Sequence, residues 1–183
     1  MPDRLLFLPA LLLAILILSS CSVYKFAKIY ASSDTSSGAL YGEIYKKEAT
    51  SYQIGKLGSD WKRVNIDYGD LFFSNKKKTS AITVNSTCDP KKNKYTLNAL
   101  AGSLLVGIKG KKLVEREIVE VDNQEALFSL YDAEFEGDKL KIATVVFKKG
   151  KCVYDFSYSN INEEFNIYLK DFVNFISEFK VLE

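Results

Sequence analysis

The chain contains no histidine at all, and only one methionine, one tryptophan, three prolines and three cysteines in 183 residues. Without histidine no Ser-His or Cys-His couple can form, no imidazole can act as a general base near neutral pH, and the commonest zinc and copper ligand is missing. Most hydrolase and transition-metal chemistries drop out on that ground. Neither sign of charge dominates: 25 Lys+Arg face 23 Asp+Glu, a formal net charge of +2. So small an excess gives no electrostatic reason to expect a polyanionic partner. After Arg4, arginine occurs only as Arg63 and Arg116, although it is the preferred reader of phosphates and bases. A nucleic-acid partner is therefore not expected.

Long apolar runs are also scarce. The one candidate, Leu5 to Leu18, carries Pro9 and is shorter than the roughly 20 residues that a spanning helix needs. It ends on small residues followed by a cysteine, not on basic residues. Arg4 and the amino terminus form a positive n-region, and Leu18-Ser19-Ser20-Cys21 closes the leader. That tetrapeptide resembles the bacterial lipobox. The resemblance implies a signal peptide over residues 1–20 and acylation of Cys21, which becomes the first residue of the mature protein. Two or more chains then hold it stably in a membrane, because each buried methylene adds about 0.8 kcal/mol. In the enteric sorting pattern that this leader resembles, an Asp after the cysteine retains a lipoprotein in the inner membrane. Ser22 stands there instead, so the expected location is the outer membrane, facing the periplasm.

With Cys21 assigned to lipid, Cys88 and Cys152 remain as an even pair in a compartment where disulfides persist. They can pair, or they can stay as two buried thiols behaving as small hydrophobes. The strand path traced below puts Cys88 at the end of one strand and Cys152 at the start of another, at the same end of the sheet.

What is plentiful is apolar and aromatic surface, at 47% and 13% of residues, enough for a folded core. Residues 21–60 show no sustained period, and Ser32 to Gly38 has the composition of a loop, so this stretch reads as a lipidated tether. Its tyrosines, among them Tyr41, Tyr45 and Tyr52, are expected either to pack on the domain, with a short helix near Tyr41 to Glu48, or to anchor at the membrane interface.

From Trp61 the pattern becomes regular. Strands are predicted over Lys62 to Asp67, Tyr68 to Ser74 and Thr79 to Thr87, the last two forming a hairpin around Asn75 to Lys78. Leu97, Leu100, Ala101, Leu104, Leu105 and Ile108 form one helical stripe behind Thr96 as N-cap. Four strands follow, Leu113 to Val121, Glu125 to Phe135, Lys139 to Phe147 and Lys151 to Tyr158, with connections short enough to make them antiparallel. A final helix spans about Asn162 to Phe179, with Asn160 and Glu163 as a capping box. The pattern describes an α+β domain, an antiparallel β-sheet meander flanked by two amphipathic helices.

This order, with the ending Tyr154-Asp155-Phe156-Ser157-Tyr158 and then Phe165, Phe172 and Ser177-Glu178-Phe179, resembles the PsbP-like fold of residues 61–183. That sandwich includes small bacterial lipoproteins of the DcrB type. The resemblance implies a non-enzymatic binding or assembly module with no cofactor and no metal. Trp61, Asn85-Ser86 with Cys88, and Cys152-Val153-Tyr154 are also similar to lipoproteins encoded beside lipid-trafficking transporters, which implies an auxiliary role in such a system.

Other motifs yield to plainer readings. Gly102 to Lys109 lacks the Gly-Lys-Ser/Thr succession of a phosphate loop and lies on a continuous helical stripe. The carboxylates Asp67 and Asp70, Asp132 to Asp138, and Glu163 and Glu164 would support a carboxylate-dependent enzyme only if they converged in a cleft. The lysine clusters 76–78, 91–94, 109–112 and 148–151 fall at both ends of the sheet, where they suit solvated turns better than one basic patch. The aromatics left over once both helical stripes are buried, Trp61, Phe72, Phe73, Tyr131 and Tyr154, are the candidate surface for an apolar ligand or an envelope protein partner.

Overall fold

The computed structural model describes Ser22, Val23, Lys25, Phe26 and residues 38–66 and 69–182, with Asn162 as backbone only. The leader, Cys21, Asp67 and Tyr68 lie outside the described residues. The strands are β1 (Ala39–Tyr41), β2 (Ile44–Lys47), β3 (Thr50–Gln53), β4 (Trp61–Arg63), β5 (Leu71–Asn75), β6 (Ser80–Thr87), β7 (Lys109–Val121), β8 (Gln124–Phe135), β9 (Asp138–Lys149), β10 (Cys152–Ile161) and β11 (Lys180–Leu182). Two helices are described in full, α1 (Leu97–Leu104) and α2 (Phe165–Ser177), and Ser22, Val23, Lys25 and Phe26 are helical as well.

Seven strands form one antiparallel sheet in the order β4-β5-β6-β10-β9-β8-β7. The meander β7 to β10 is closed by short turns. Asp122 and Asn123 at φ 50° and 58°, and Glu136 and Gly137 at φ 52° and 90°, supply the left-handed pairs that match the twist of a two-residue hairpin. Alternation along β10 then sends Tyr154, Phe156 and Tyr158 to one face and Val153, Asp155 and Ser157 to the other.

Each face is covered by a different layer. On one, Phe165, Phe172, Phe175 and Ile176 of α2 join Tyr154, Phe156, Tyr158 and Phe147 in the largest apolar cluster. On the other, α1 lays Leu100 and Ala101 against Leu127, Val146 and Val153, and Val23 and Phe26 join Leu105, Ile108, Tyr131 and Ile142 beside it. The result is an α+β sandwich with α1 on one face of the large sheet and α2 on the other.

A second sheet, β1-β2-β3-β11, accompanies the meander, which corrects the expectation of a single sheet and, over residues 39–53, of a tether. Tyr45 and Tyr52, both 0% exposed, are the cause: they stack at 5.1 Å between centroids and enter the α2-side core. Both lie in short antiparallel strands, so the helix expected near Tyr41 to Glu48 does not form. β11, outside the predicted helix, closes this sheet through Val181 opposite Tyr52.

Both helices are shorter than their apolar spacing suggests. α1 stops at Leu104, and Gly107 at φ 88° turns the chain into β7, yet Leu105 and Ile108 still enter the core. Thr96 does cap α1, accepting from the Ala99 amide. The capping box proposed for α2 is absent: a 3-10 turn precedes that helix, and its N-cap residue Glu164 makes no side-chain capping bond. Glu164 instead accepts from Thr79 Oγ1 at 2.9 Å and Lys77 Nζ at 3.2 Å, tying the β5–β6 turn to the start of α2. Thr79 first, then Lys77, holds its carboxyl below the usual range.

A candidate ligand-binding cavity

Cys88 and Cys152 form a disulfide. The pairing of Val153 with Thr87 brings the end of β6 and the start of β10 side by side, one residue from each cysteine.

The five leftover aromatics are all buried: Trp61 and Phe73 at 7%, Phe72 at 0%, Tyr131 at 6% and Tyr154 at 1%. They are core residues, not an exposed recognition patch. Trp61 and Phe73 line a shallow depression with Leu40, Ile54, Leu57 and Arg63 at the β4 edge. Trp61 is pinned there by its indole N–H, which donates to Asp171 Oδ2 at 2.9 Å. Tyr131 accepts from Arg116 Nη2 at 2.8 Å, and Tyr154 shares a 2.7 Å hydrogen bond with Thr50.

The more enclosed space lies on the opposite face. A cavity of about 230 Å³ opens beside α1 and is lined also by residues of β6, β9 and β10. Its apolar wall comes from Phe26, Leu100, Leu104, Val106, Ile108, Val146 and Val153, and its polar groups are Thr87, Lys92, Ser103 and Asp155. Small-molecule sites usually measure about 300 to 1,000 Å³ and combine apolar walls with few polar groups. This one has that chemistry at a size suited to one chain or ring. Asp155, 8% exposed, accepts from Asn85 Nδ2 at 2.9 Å and stands at the polar side. Ser103 and Val106 are the exposed members of the lining and mark its mouth.

Sequence reasoning missed this site because its wall was counted as helical core. Phe26 could not have been placed by any period, since it belongs to the stretch read as a tether.

A second polar assembly joins the two sheets. Asp70 accepts from Lys47 Nζ at 2.9 Å, Tyr52 at 3.0 Å, Tyr45 at 3.3 Å and the Ser86 hydroxyl. The Lys47 and Asp70 side chains are only 12% and 2% exposed. Burial, and then the Asp70 charge, push the Tyr52 phenol well above its ordinary range. With four donors on one carboxylate, the arrangement is a saturated structural staple. Elsewhere among the described residues, Asp132 pairs with Lys141, Glu136 with Lys25 and Glu164 with Lys77. Among the described residues there is no group of three or more His, Cys, Asp or Glu able to hold a metal ion.

No protein-family model and no curated protein sequence matches the chain. Solved structures do. LpqN, described as involved in cell envelope biogenesis of Mycobacterium tuberculosis, aligns at TM-score 0.56 and 10% identity over 80% of this chain and 90% of its own. The PsbP protein of the cyanobacterium Synechocystis, CyanoP, aligns at TM-score 0.55 and 14% identity, over 80% of this chain and 99% of its own. At these identities the likeness establishes a PsbP-like fold.

Proposed function

We propose that this chain is an envelope lipoprotein, anchored through acylated Cys21, whose PsbP-like domain is a non-enzymatic module binding an apolar or amphipathic ligand between α1 and the sheet. The observation that carries the reading is the enclosed cavity, with seven apolar residues opposite Thr87, Lys92, Ser103 and Asp155. The leader supports the anchor, and the exported setting suits the Cys88–Cys152 disulfide. The fold likeness to an envelope protein is consistent with that setting. Ser22 after the cysteine favours the outer membrane, facing the periplasm. An auxiliary role beside a lipid-trafficking transporter is the form this binding would take if the ligand is a lipid.

Lipid extraction and mass spectrometry of the detergent-solubilised protein tests the module. Recovery of a stoichiometric amphiphile supports it. An empty protein that instead turns over ester, peptide or glycoside substrates, with turnover lost on one carboxylate substitution that preserves the fold, replaces it with an enzyme. Cys21→Ala tests the anchor: the precursor should persist without incorporating labelled palmitate.

A further inference from the structure

A flexible tether would let the domain roam, but the residues that follow the cysteine are docked on it. Val23 and Phe26 pack into the cluster that holds Leu105, Ile108, Tyr131 and Ile142. Three side chains fix the segment to the β8–β9 turn. The Ser22 hydroxyl donates to Asp138 Oδ2. Lys25 pairs with Glu136 at 2.9 Å. The Phe26 ring meets Phe135 edge-on at 6.0 Å.

We infer that the mature N-terminus acts as a splint, holding the β8–β9 end of the domain and the mouth of the α1 cavity against the bilayer surface, so that single acyl chains enter the cavity directly from the membrane. This rests on the proposed acylation of Cys21. Five residues span at most about 18 Å, so an anchor at position 21 lies within that distance of Phe26, which is itself part of the cavity wall. Leu105 and Ile108 share a cluster with Val23 and Phe26, so the bend between α1 and β7 is at the same end. That bend presents Val106, 75% exposed and part of the cavity lining. Exposed Lys109, Lys111 and Lys112 follow it, and exposed Lys139 leaves the neighbouring turn. An apolar tip followed by lysines, with exposed Glu134 opposite Lys109, suits the interface between headgroups and acyl chains.

The test uses the mature, acylated full-length protein in vesicles of phosphatidylethanolamine and phosphatidylglycerol. An environment-sensitive fluorophore is placed on Val106→Cys or, at the far β7–β8 turn, on Asn123→Cys. The turns at the two ends of β8 are separated by about 40 Å of strand, so the two positions report on opposite ends. Cys88 and Cys152 are oxidised and do not compete for the label. Spin-labelled lipids should quench the Val106 label several-fold more than the Asn123 label, and adding Phe26→Ala should erase the difference. Equal quenching at both positions, in protein shown to carry palmitate, overturns the splint and leaves the anchor standing. Protein that carries no acyl chain and does not float with vesicles overturns both.

Discussion

Tyr52 donates its hydroxyl to Asp70 Oδ2 over 3.0 Å, and this bond crosses from the small sheet to the large one. Tyr45, Lys47 and Ser86 converge on the same carboxylate. Removing it takes one acceptor from four donors, three of them on buried residues. Breaking one partner out of a buried ion pair typically costs about 3 to 5 kcal/mol. Asp70→Ala should fall near the lower bound, because Lys47 retains some solvent contact and an acceptor in the Ser86 carbonyl. Asp70→Asn should lose less. Urea denaturation checks this; an unchanged midpoint for the alanine variant would show that the staple is dispensable.

Much of the large sheet was legible in the sequence, for a physical reason. Its strands are long, their turns carry the Gly, Asn and Asp that positive φ requires, and β10 alternates cleanly. The small sheet was not legible, because strands of three or four residues offer too few positions for a period to show. Tyr45 and Tyr52 gave the only signal, as aromatics in a stretch otherwise built like a loop. The candidate site was hidden for a different reason: residues beside a cavity and residues in a filled core have the same apolar spacing. Leu100 reads as filled helical core and Phe72 as candidate surface, yet Leu100 borders the open space and Phe72 is fully buried.

The disulfide joins residues 64 apart. In the loop-entropy description such a closure constrains the unfolded chain by about 4 kcal/mol. Reducing it, or replacing Cys88 and Cys152 together by alanine, should lower unfolding stability by an amount of that order. The folded end point should be unchanged, since β6 and β10 are also paired along eight residue positions. Identical denaturation curves with and without reductant would contradict the expectation.

Tyrosine burial predicts an alkaline limit. Burial raises the phenols of Tyr52, Tyr154 and Tyr158, opposed at Tyr154 by the Thr50 hydrogen bond and at Tyr158 by Ser80 and Asn160. In the unfolded chain a tyrosine loses its proton near 10. A raised folded value therefore gives stability that is complete below about pH 10 and drains away as pH climbs toward the folded values. Unfolding midpoints should hold steady on the neutral side and fall steeply above about pH 10. Tyrosinate absorbance should show a late group that ionises only as the fold is lost. A single reversible ionisation of every tyrosine near 10, with stability unaffected, would rule this out.

Gly55 marks where the small sheet meets α2. A Cβ there would stand 2.4 Å from the Phe175 carbonyl oxygen and 2.7 Å from the Phe175 Cα. Helix backbone cannot swing aside as a flexible side chain can, so Gly55→Ala must push the segment after β3 away from α2. Overpacking of this kind costs about 1 to 3 kcal/mol. Gly58→Ala, with nothing within 4 Å, is the matched control and should be nearly neutral. Equal effects from the two substitutions would remove the close approach as the cause.

The cavity makes the last prediction. Leu104 borders it from the C-terminal end of α1 and is itself only partly buried. Leu104→Trp adds a large side chain next to open space, so it should fill the site with little loss of stability, unlike the same change at fully buried Phe72. If the space between α1 and the sheet is where ligand binds, the tryptophan variant should lose a bound fluorescent long-chain fatty acid while unfolding at nearly the same urea concentration. Trp61→Phe, which alters the shallow depression on the other face, should leave that binding intact. Retained binding in a folded Leu104→Trp variant, with loss in Trp61→Phe, would move the site to the β4 edge, because only one of the two openings would then respond to being changed.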